Sequence, residues 1–345
     1  MPRVTINEIA RRSGVSKGAV SYALNGRPGV SDATRQRILA VADSLGWAPN
    51  RTARLLSGSR TDTFGLILGR DPRTLAAEPF YMEFVAGMEA ELSGRSYALL
   101  LQVCPDLDSE LRTYRTWSSE RRVDAVVVVD LRVDDPRVTL LAEIGLPAVF
   151  VGDPGVTEGF TTVWTDDTAA MHEAVAYLVS LGHTEIARVS GIGDLNHVRI
   201  RNRAFLDATA ARGVQGRIHD ADFSAEAGRQ ATRALVGGTR RPTAIMFDND
   251  LMAVASLSAL AELGVAVPDQ VSVLAWDDSA LCEITHPRLS AMSHNVMAFG
   301  AHVGRRLFDL IEGAPPGAFL DSTPALQVRA STAPPPTSSR GQPVG

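Results

Sequence analysis

The sequence is poor in cysteine and has no long apolar run. Its 345 residues include two cysteines, Cys104 and Cys282, too few for a disulfide framework and without metal-ligand spacing, so we expect both to be reduced and without chemistry. No apolar run reaches the roughly 18 residues of a membrane helix, and the first twelve residues lack the apolar segment of a secretion signal. We therefore expect a cytoplasmic protein with no membrane contact.

Patterns of catalysis and cofactor binding are also missing. Gly191-Ile192-Gly193 follows a predicted strand but lacks the third glycine of a dinucleotide-binding loop, and there is no Gly-Lys-Ser/Thr phosphate loop. Asp248 and Asp250 could bind a metal, yet the spacing of a complete calcium loop is absent. No nucleophile with a base and an orienting group can be assembled. We predict no cofactor, no metal and no catalytic residues.

Charge is distributed unevenly along the chain. Residues 1–60 contain ten basic and three acidic residues, a net charge of +7, whereas the remainder carries -12 of the total of -5. A small basic head on an acidic body is typical of a protein that binds nucleic acid through the head. The only lysine of the chain, Lys17, lies in this head.

The head has the pattern of a helix-turn-helix. Thr5 and Glu8 fit a capping box for a first helix that ends near Gly14. Ser16 caps a second helix, which Asn25-Gly26 ends, and a supporting third helix begins at Ser31. In such a motif the amino end of the second helix enters the major groove.

The head residues fall into two kinds of predicted DNA contact. Lys17, Gly18 and Tyr22 meet base edges, because a lysine can donate to guanine and a tyrosine offers a hydroxyl or ring contact. Thr5, Ser16 and Ser21 contact phosphates, and Asn25 belongs to the same surface. The alternative is that Thr5 and Ser16 only cap helices, in a three-helix domain that binds protein.

The segment 49–60 predicts a short helix that is stable only against a partner. About two turns fit between Pro49 and Gly58, too few for an isolated helix in water. Apolar side chains next to arginines suit insertion into the minor groove. The predicted DNA contacts of this segment are Asn50, Arg51, Ala53, Arg54 and Leu56. A plain linker between domains is the alternative.

The run TINEIARRSGVSKGAVSYALNGRPGVSDATRQRILAVADSLGWAPNRTARLLSG resembles the lactose and galactose repressor (LacI/GalR) family almost without a gap. The resemblance implies a helix-turn-helix head, a hinge helix that folds on palindromic operator DNA, and a sensing core like a periplasmic sugar-binding protein. It places Leu56 where a leucine opens the central base step. Many members have arginine where this chain has Tyr22, so the resemblance does not supply the operator sequence.

From Thr63 onward, short apolar strands alternate with helices, which is typical of doubly wound parallel sheets. A second series begins at Val163, so we predict two lobes. The fold class is therefore an all-α helix-turn-helix head plus a two-lobed α/β core like a periplasmic binding protein. The predicted domains are the head at 1–48, the hinge at 49–60, the core at 61–330 and a disordered tail at 331–345. The amino-terminal lobe takes 61–161 and 290–320, and the carboxyl-terminal lobe takes 162–289 and 321–330.

Ligands of such folds bind beyond the carboxyl ends of the strands, here in the cleft between the lobes. Asp248, Asn249 and Asp250 follow one strand, and Asp277 and Asp278 follow another. The resemblance, looser in the core, implies ligand contacts by Phe80, Tyr81, Arg201, Phe223, Asn249 and Asp277. Packing in the core is the alternative role for each of these six residues.

These observations predict a transcriptional regulator, acting as a repressor on the nucleoid. Its operator binding would be controlled by a small ligand, a sugar or glycoside, between the lobes. The tail is rich in Pro, Ser and Gly and has no leucine heptads, so we expect a homodimer. The rival hypothesis is a sugar-binding receptor or enzyme without sequence-specific DNA binding.

Overall fold

The computed structural model describes residues 4–24, 27–47 and 60–336. They belong to two compact units that divide after Thr61. Within these described ranges, no helix has the length and apolar character needed to cross a membrane. The predicted hinge, from residue 49 through residue 59, lies outside the described residues.

The first unit contains three helices, α1 (Ile6–Ser13), α2 (Lys17–Leu24) and α3 (Asp32–Ser44). Each helix contributes apolar residues at helical spacing to one small core, in which Ile9, Val20 and Ile38 are fully buried. Burial of these stripes stabilises helices that are each too short to persist alone. The predicted helix-turn-helix arrangement is therefore present.

The ends of these helices follow the sequence signals, with one exception. Gly14 ends α1 with φ of 68°, and Ser16 accepts a hydrogen bond from the Ala19 amide at 3.2 Å. The predicted capping box at Thr5 is wrong, because the Thr5 side chain makes no capping hydrogen bond. Glu8 instead pairs with Arg11 and Arg12, at 2.6 and 2.9 Å.

The second unit contains two six-stranded sheets covered by helices. Its strands are β1 (Thr63–Leu68), β2 (Ala98–Val103), β3 (Ala125–Val128), β4 (Ala148–Val151), β5 (Thr161–Thr165), β6 (Glu185–Val189), β7 (Gln215–His219), β8 (Ala244–Phe247), β9 (Ser272–Trp276), β10 (Ser290–Ser293), β11 (Ala318–Ser322) and β12 (Ala325–Gln327). Its helices are α4 (Pro72–Ala77), α5 (Pro79–Ser93), α6 (Leu107–Ser119), α7 (Pro136–Ile144), α8 (Asp167–Ser180), α9 (Asn196–Ala211), α10 (Ala225–Gly237), α11 (Asp250–Glu262), α12 (Ala280–Ile284) and α13 (Val296–Ile311).

The two sheets share one topology. The strand order is β11-β5-β4-β3-β1-β2 in lobe 1 and β12-β10-β9-β8-β6-β7 in lobe 2. All pairings are parallel except that of β10 with β12. The central strands are buried on both faces, as in β1 and β8, which explains their continuous apolar sequence. The order reverses between β1 and β3 and between β6 and β8, and these switch points are where such folds bind ligands.

The chain crosses between the lobes three times. The crossings follow β5, follow β10, and join β11 to β12. The predicted lobe bounds also imply three crossings, but they place them after residues 161, 289 and 320. In the structure the chain changes lobe a few residues later, after Thr165, Ser293 and Ser322. Strand β5 belongs to the sheet of lobe 1 and β10 to that of lobe 2, because each pairs with the previous parallel strand before the chain leaves.

Helices α5 and α13 approach closely across lobe 1. A Cβ added at Gly87 would lie 2.0 Å from the Met297 carbonyl oxygen, and one at Gly300 would lie 2.1 Å from that of Phe84. Only glycine permits this backbone contact. The contact ties α13, which comes late in the chain, to the first helices of the core.

The start of the predicted disordered tail is ordered. Ser331 is fully buried; its hydroxyl donates to the Val273 carbonyl at 2.6 Å and accepts from the Ser290 amide at 2.8 Å. The His183 ring nitrogen Nε2 lies 3.0 Å from the Ala333 carbonyl oxygen. The prediction of disorder from residue 331 is therefore wrong for 331–336, because buried hydrogen bonds outweigh the composition, and residues 337–345 lie outside the described ranges.

Candidate functional site

The outer face of α2 carries the predicted base-reading residues. Lys17, Gly18 and Tyr22 are exposed and Ser21 is half-buried, while Val20 on the opposite face is fully buried. This arrangement follows from the helical period, which separates the two sets onto opposite sides. Thr5 and Ser16 are also exposed. The helix thus presents polar and aromatic groups to a partner outside the unit.

Two of these residues have different structural constraints. A Cβ added at Gly18 would meet only the Ser16 hydroxyl, at 3.8 Å, so packing does not require glycine there. The Tyr22 ring, 45% exposed, lies against Gly29, where an added Cβ would be 3.2 Å from the ring. Gly29 therefore provides the space in which the Tyr22 ring is held.

Arg35 on α3 supports the end of α2. Its guanidinium donates to the Ala23 carbonyl at 3.3 Å and to the Arg27 carbonyl at 2.8 Å. Carbonyls at a helix end lack partners within the helix, so this side chain stabilises the loop after α2. Sequence reasoning counted Arg35 only as part of the basic excess.

Half of the residues predicted to contact DNA lie outside the described ranges. These residues are Asn25, Asn50, Arg51, Ala53, Arg54 and Leu56. Their roles stay predictions.

A cavity of about 290 Å³ lies between the two lobes of the second unit, beyond the carboxyl ends of the strands. Five of the six predicted ligand contacts line it. These are Phe80, Tyr81, Arg201, Phe223 and Asp277. The sixth, Asn249, does not line the cavity.

Asn249 lies behind the cavity wall. Its amide oxygen accepts from the Met252 amide at 2.9 Å and thereby caps α11, while its amide nitrogen donates to the Phe223 carbonyl at 3.0 Å. The same nitrogen lies 3.4 Å from Glu78 of the other lobe. The geometry of Asn249 thus positions Phe223 and Glu78 at the wall.

Lobe 1 contributes an arginine clamp at its switch point. Arg70 follows β1 and binds both carboxylate oxygens of Asp130, which follows β3, at 2.7 and 2.8 Å. The Tyr81 hydroxyl donates to the same carboxylate at 2.6 Å. Burial alone would raise the pKa of Asp130, but the charge of Arg70 and these hydrogen bonds lower it. Asp130 is therefore a fixed carboxylate.

Lobe 2 contributes a larger clamp. Arg201 on α9 donates to Asp167 at 2.8 Å and to Asp248 at 3.0 Å, and the fully buried Arg188 lies 2.8 Å from Asp248. Burial works against the charge of Arg201, but the carboxylates of Asp167 and Asp248 raise its pKa. The guanidinium carbon also lies 4.2 Å from the ring centre of Trp276. The predicted charged clamp at Arg201 is thus held in place by other protein groups.

Two carboxyl groups of the wall lack such partners. No hydrogen bond or ion pair joins the Asp277 carboxyl to another residue of the described chain, and its backbone has φ of 66°. Burial raises the pKa of Asp277 well above its usual range. Glu78, only 7% exposed, has its Oε2 buried without a partner. Burial raises the pKa of Glu78 to about 7.

Phe223 occupies a strained position that its neighbours explain. Its φ is 70°, and a Cβ at Gly191 would lie 2.0 Å from its ring. The Arg70 guanidinium lies 4.5 Å from the ring centre, so a group of lobe 1 covers a ring of lobe 2. The glycine of the discarded dinucleotide pattern therefore makes room for Phe223.

Two histidines line the cavity, and both are held neutral. Burial lowers the pKa of His197 to about 4. Burial also lowers the pKa of His294, both of whose ring nitrogens are buried without partners. Among the described residues there is no group of three or more histidine, cysteine, aspartate or glutamate side chains able to hold a metal.

Sequence reasoning missed most of the charged wall. The residues it missed are Arg70, Glu78, Asp130, Asp153, Asp166, Asp167, His197 and His294. Arg70, Asp130 and Asp167 each follow a strand by two positions, so strand ends could have indicated them. Nothing in the local sequence marks Glu78, whose partners come from other segments.

Comparison with known proteins identifies both parts of the chain. Residues 5–50 match the family described as bacterial regulatory proteins, lacI family, and residues 175–332 match a periplasmic binding protein-like domain. The HTH-type transcriptional regulator CelR of Thermobifida fusca is 32% identical over 316 residues, which cover 90% of this chain and 93% of that protein.

Two solved structures show the same architecture. A complex of the transcriptional regulator CelR with cellobiose has a TM-score of 0.73 at 31% identity, covering 95% of this chain and all of that one. The lac repressor dimer bound to operator and the anti-inducer ONPF has a TM-score of 0.84 at 23% identity, covering 96% of this chain and all of that one. At this lower identity the likeness establishes the fold alone.

Proposed function

Because this chain belongs to the LacI family of bacterial transcriptional regulators, we propose that it is a cytoplasmic repressor whose operator binding depends on a small ligand in the cleft. The family is one of DNA-binding regulators, so the chain is a transcriptional regulator and not an enzyme. The rival hypothesis of a receptor or enzyme without sequence-specific DNA binding is therefore wrong.

The observation that carries DNA binding is the outer face of α2. Lys17 and Tyr22 are exposed on a helix whose other side is buried, in a head of net positive charge. A helix of this kind in the major groove offers a cationic donor and a hydroxyl to base edges. Ser16, Ser21 and Thr5 supply phosphate contacts.

The ligand cleft supports control by a sugar-like molecule. Polar groups and aromatic rings surround one cavity between two lobes, which is the arrangement that binds polyols. A structure of the regulator CelR contains cellobiose, and its match covers 95% of the present chain. We propose a sugar or sugar derivative as the effector, contacted by Phe80, Tyr81, Arg201 and Asp277, with Asn249 and Phe223 shaping the wall.

We propose that the protein acts as a homodimer on a palindromic operator. The edge strand β2 exposes Leu101 and Val103, 44% and 41% accessible, and Met82 on α5 is 64% accessible. Apolar groups along an exposed edge strand are a suitable surface for a second copy. Coupling would run through the hinge: movement of the lobes separates the two hinge segments, whose Leu56 is proposed to enter the minor groove.

Selection from random DNA, followed by a gel-shift titration, tests this function. We expect one palindromic site, bound in the nanomolar range typical of specific regulators. Leu56→Ala should weaken binding to that site at least tenfold and leave ligand binding intact. Lys17→Ala should change the preferred half-site, whereas Arg203→Ala, which removes one exposed charge of the core, should not.

Three outcomes would contradict the proposal. Recovery of no preferred sequence would exclude a specific operator. An unchanged site with Lys17→Ala would remove that residue from base reading. Full affinity with Leu56→Ala would remove the minor-groove role of the hinge.

A further inference from the structure

The wall of the cleft is strongly acidic. Its charged residues are two arginines and seven carboxyl groups, namely Arg70, Arg201, Glu78, Asp130, Asp153, Asp166, Asp167, Asp248 and Asp277. His197, also on the wall, has its pKa lowered by burial to about 4 and adds no charge at neutral pH. An anionic ligand would therefore meet an excess of like charge in a site of low dielectric.

Each arginine of the wall already binds carboxylates of the protein, although Nη1 of Arg70 has no hydrogen-bond partner. Arg70 holds both oxygens of Asp130, and Arg201 holds Asp167 and Asp248. Breaking a buried pair leaves an uncompensated charge, which is costly. The cationic groups of the wall are thus already neutralised by the protein.

Four carboxyl groups of the wall form no ion pair with an arginine, and two of these, one from each lobe, also have an oxygen without a hydrogen-bond donor. Glu78 lies at the start of α5 in lobe 1, with Oε2 buried and unpartnered. Asp277 follows β9 in lobe 2, and its carboxyl has no hydrogen bond or ion pair within the described chain. The two are close enough that the charge of Glu78 is among the causes that raise the pKa of Asp277, after burial.

We propose that the effector of this cleft carries a positively charged nitrogen, as in an amino sugar, which binds between the carboxylates of Glu78 and Asp277. The proposal rests on the cleft being the effector site of the regulator. A ligand ammonium would supply the charge and the donors that the wall lacks. Phe80 and Trp164, which also line the cavity, offer ring faces to a sugar and to its cationic group.

The positions of the two carboxyl groups also link ligand binding to the arrangement of the lobes. Glu78 and Asp277 belong to different lobes, so one ammonium between them attracts both lobes. A ligand that binds the closed arrangement more tightly shifts the population toward it. An ammonium favours the ionised form of both carboxyls, whereas a neutral sugar of the same shape can form hydrogen bonds but provides no charge to stabilise that form.

Isothermal titration of the full-length protein at pH 7.5 with four matched disaccharides tests the proposal. The probes are the β-1,4 dimer of glucosamine, its N-acetylated form, cellobiose and cellobionate, which differ in charge on one skeleton. We expect the amine to bind at least tenfold more tightly than either neutral compound and cellobionate not to bind. Glu78→Gln and Asp277→Asn should each abolish the preference, whereas Asp207→Asn, an exposed carboxyl far from the wall, should keep it.

A measurement without ligand accompanies the titration. The groups that face the pair are Arg70, Asp130, Asn249 and Asp250 around Glu78, and Arg201, Asp167 and Asp250 around Asp277. Both carboxyls have raised pKa values in the folded state, so the folded protein binds more protons than the unfolded chain and loses stability as pH rises; for Glu78 this loss runs from about 4 through about 7. The melting temperature of the wild type should therefore fall more with rising pH than that of Asp277→Asn.

The outcomes separate this proposal from the proposed function. The proposal of a cationic effector is wrong if the protein prefers a neutral or acidic disaccharide, or if it does not bind the amine. It is also wrong if both variants keep the preference of the wild type. If the melting temperatures of the wild type and Asp277→Asn change equally with pH, Asp277 is not an uncompensated carboxyl and the proposed pair is wrong. Failure of the protein to bind any operator in a parallel gel shift would overturn the proposed function instead.

Discussion

The two lobes of the core share a strand order but are stabilised in different ways. Each lobe places an arginine-bound aspartate at its switch point, Asp130 in lobe 1 and Asp248 in lobe 2. Asp130 forms an ion pair with one arginine, whereas Asp248 forms ion pairs with two, Arg188 and Arg201, the second of which also binds Asp167. A shared topology therefore fixes where charged groups lie, and the individual side chains decide how strongly each lobe depends on them.

The largest expected effect comes from the clamps. Arg201→Met removes a cation from two buried carboxylates, of which Asp248 keeps Arg188, so we expect the free energy of unfolding to fall by about 3–5 kcal/mol at pH 8. Arg70→Met frees one carboxylate, which keeps its hydrogen bond from Tyr81, and the loss should lie at the lower end of that range, about 3 kcal/mol. Urea unfolding followed by circular dichroism measures both.

The pH dependence of the free energy of unfolding is the control for these two arginine substitutions. The deficit of Arg201→Met should shrink toward pH 4, because protonation of the freed carboxylates removes their charge. If the two variants lose the same free energy of unfolding, or if the loss does not change with pH, the effect comes from packing of the side chain and not from its charge.

A smaller difference is expected in how helices pack. Gly87→Ala forces a methyl group to within 2.0 Å of the Met297 carbonyl oxygen in lobe 1, and Gly228→Ala places one 2.8 Å from Met252 in lobe 2. Both contacts are with backbone atoms, and we expect losses of about 3 and about 1 kcal/mol because the closer contact forces the larger shift. Gly18→Ala, in open space on α2, is the control and should be close to neutral. The reverse order in urea unfolding would place the tighter helix contact in lobe 2.

The smallest effect concerns residues 331–336, whose hydrogen bonds in the described part of the chain are to lobe 2. Ser331→Ala leaves the buried Ser290 amide without an acceptor and should cost about 1–3 kcal/mol. Ser119→Ala removes a comparable hydroxyl at the surface and should cost less than about 0.5 kcal/mol. Differential scanning calorimetry of the two variants compares them, and equal melting temperatures would show that the tail contributes nothing to the sheet.

Sequence patterns predicted those parts of the fold that rest on local periodicity. The helices of the head, the buried strands β1, β3 and β8, and helix α11 lie within a few residues of their predicted bounds. The edge strands β7, β11 and β12 have half-exposed, mixed sequences that carry no such signal. The predicted lobe boundaries were misplaced because the sequence of the strand before each crossing does not indicate which of the two sheets the strand joins.

The site was predictable in outline and not in its charge pattern. Position after a strand and resemblance to the family brought Arg201 and Asp277 to the same cavity. Pairing between residues such as Arg70 and Asp130, 60 positions apart, depends on the fold and cannot be read from spacing. The same holds for Asn249, whose bonds to α11 and to Phe223 direct it away from the cavity.

The three crossings have a consequence for synthesis of the chain. Lobe 1 begins at β1, but its helix layer is completed by α13 and its sheet by β11, which begin 131 and 153 residues after the end of β5, where the chain first leaves the lobe. Domains of a nascent chain usually fold in order as they leave the ribosome. Here the earlier lobe must wait for β11, and the later lobe for β12, so both halves of the effector cleft reach completion together, only after residue 327 has been translated.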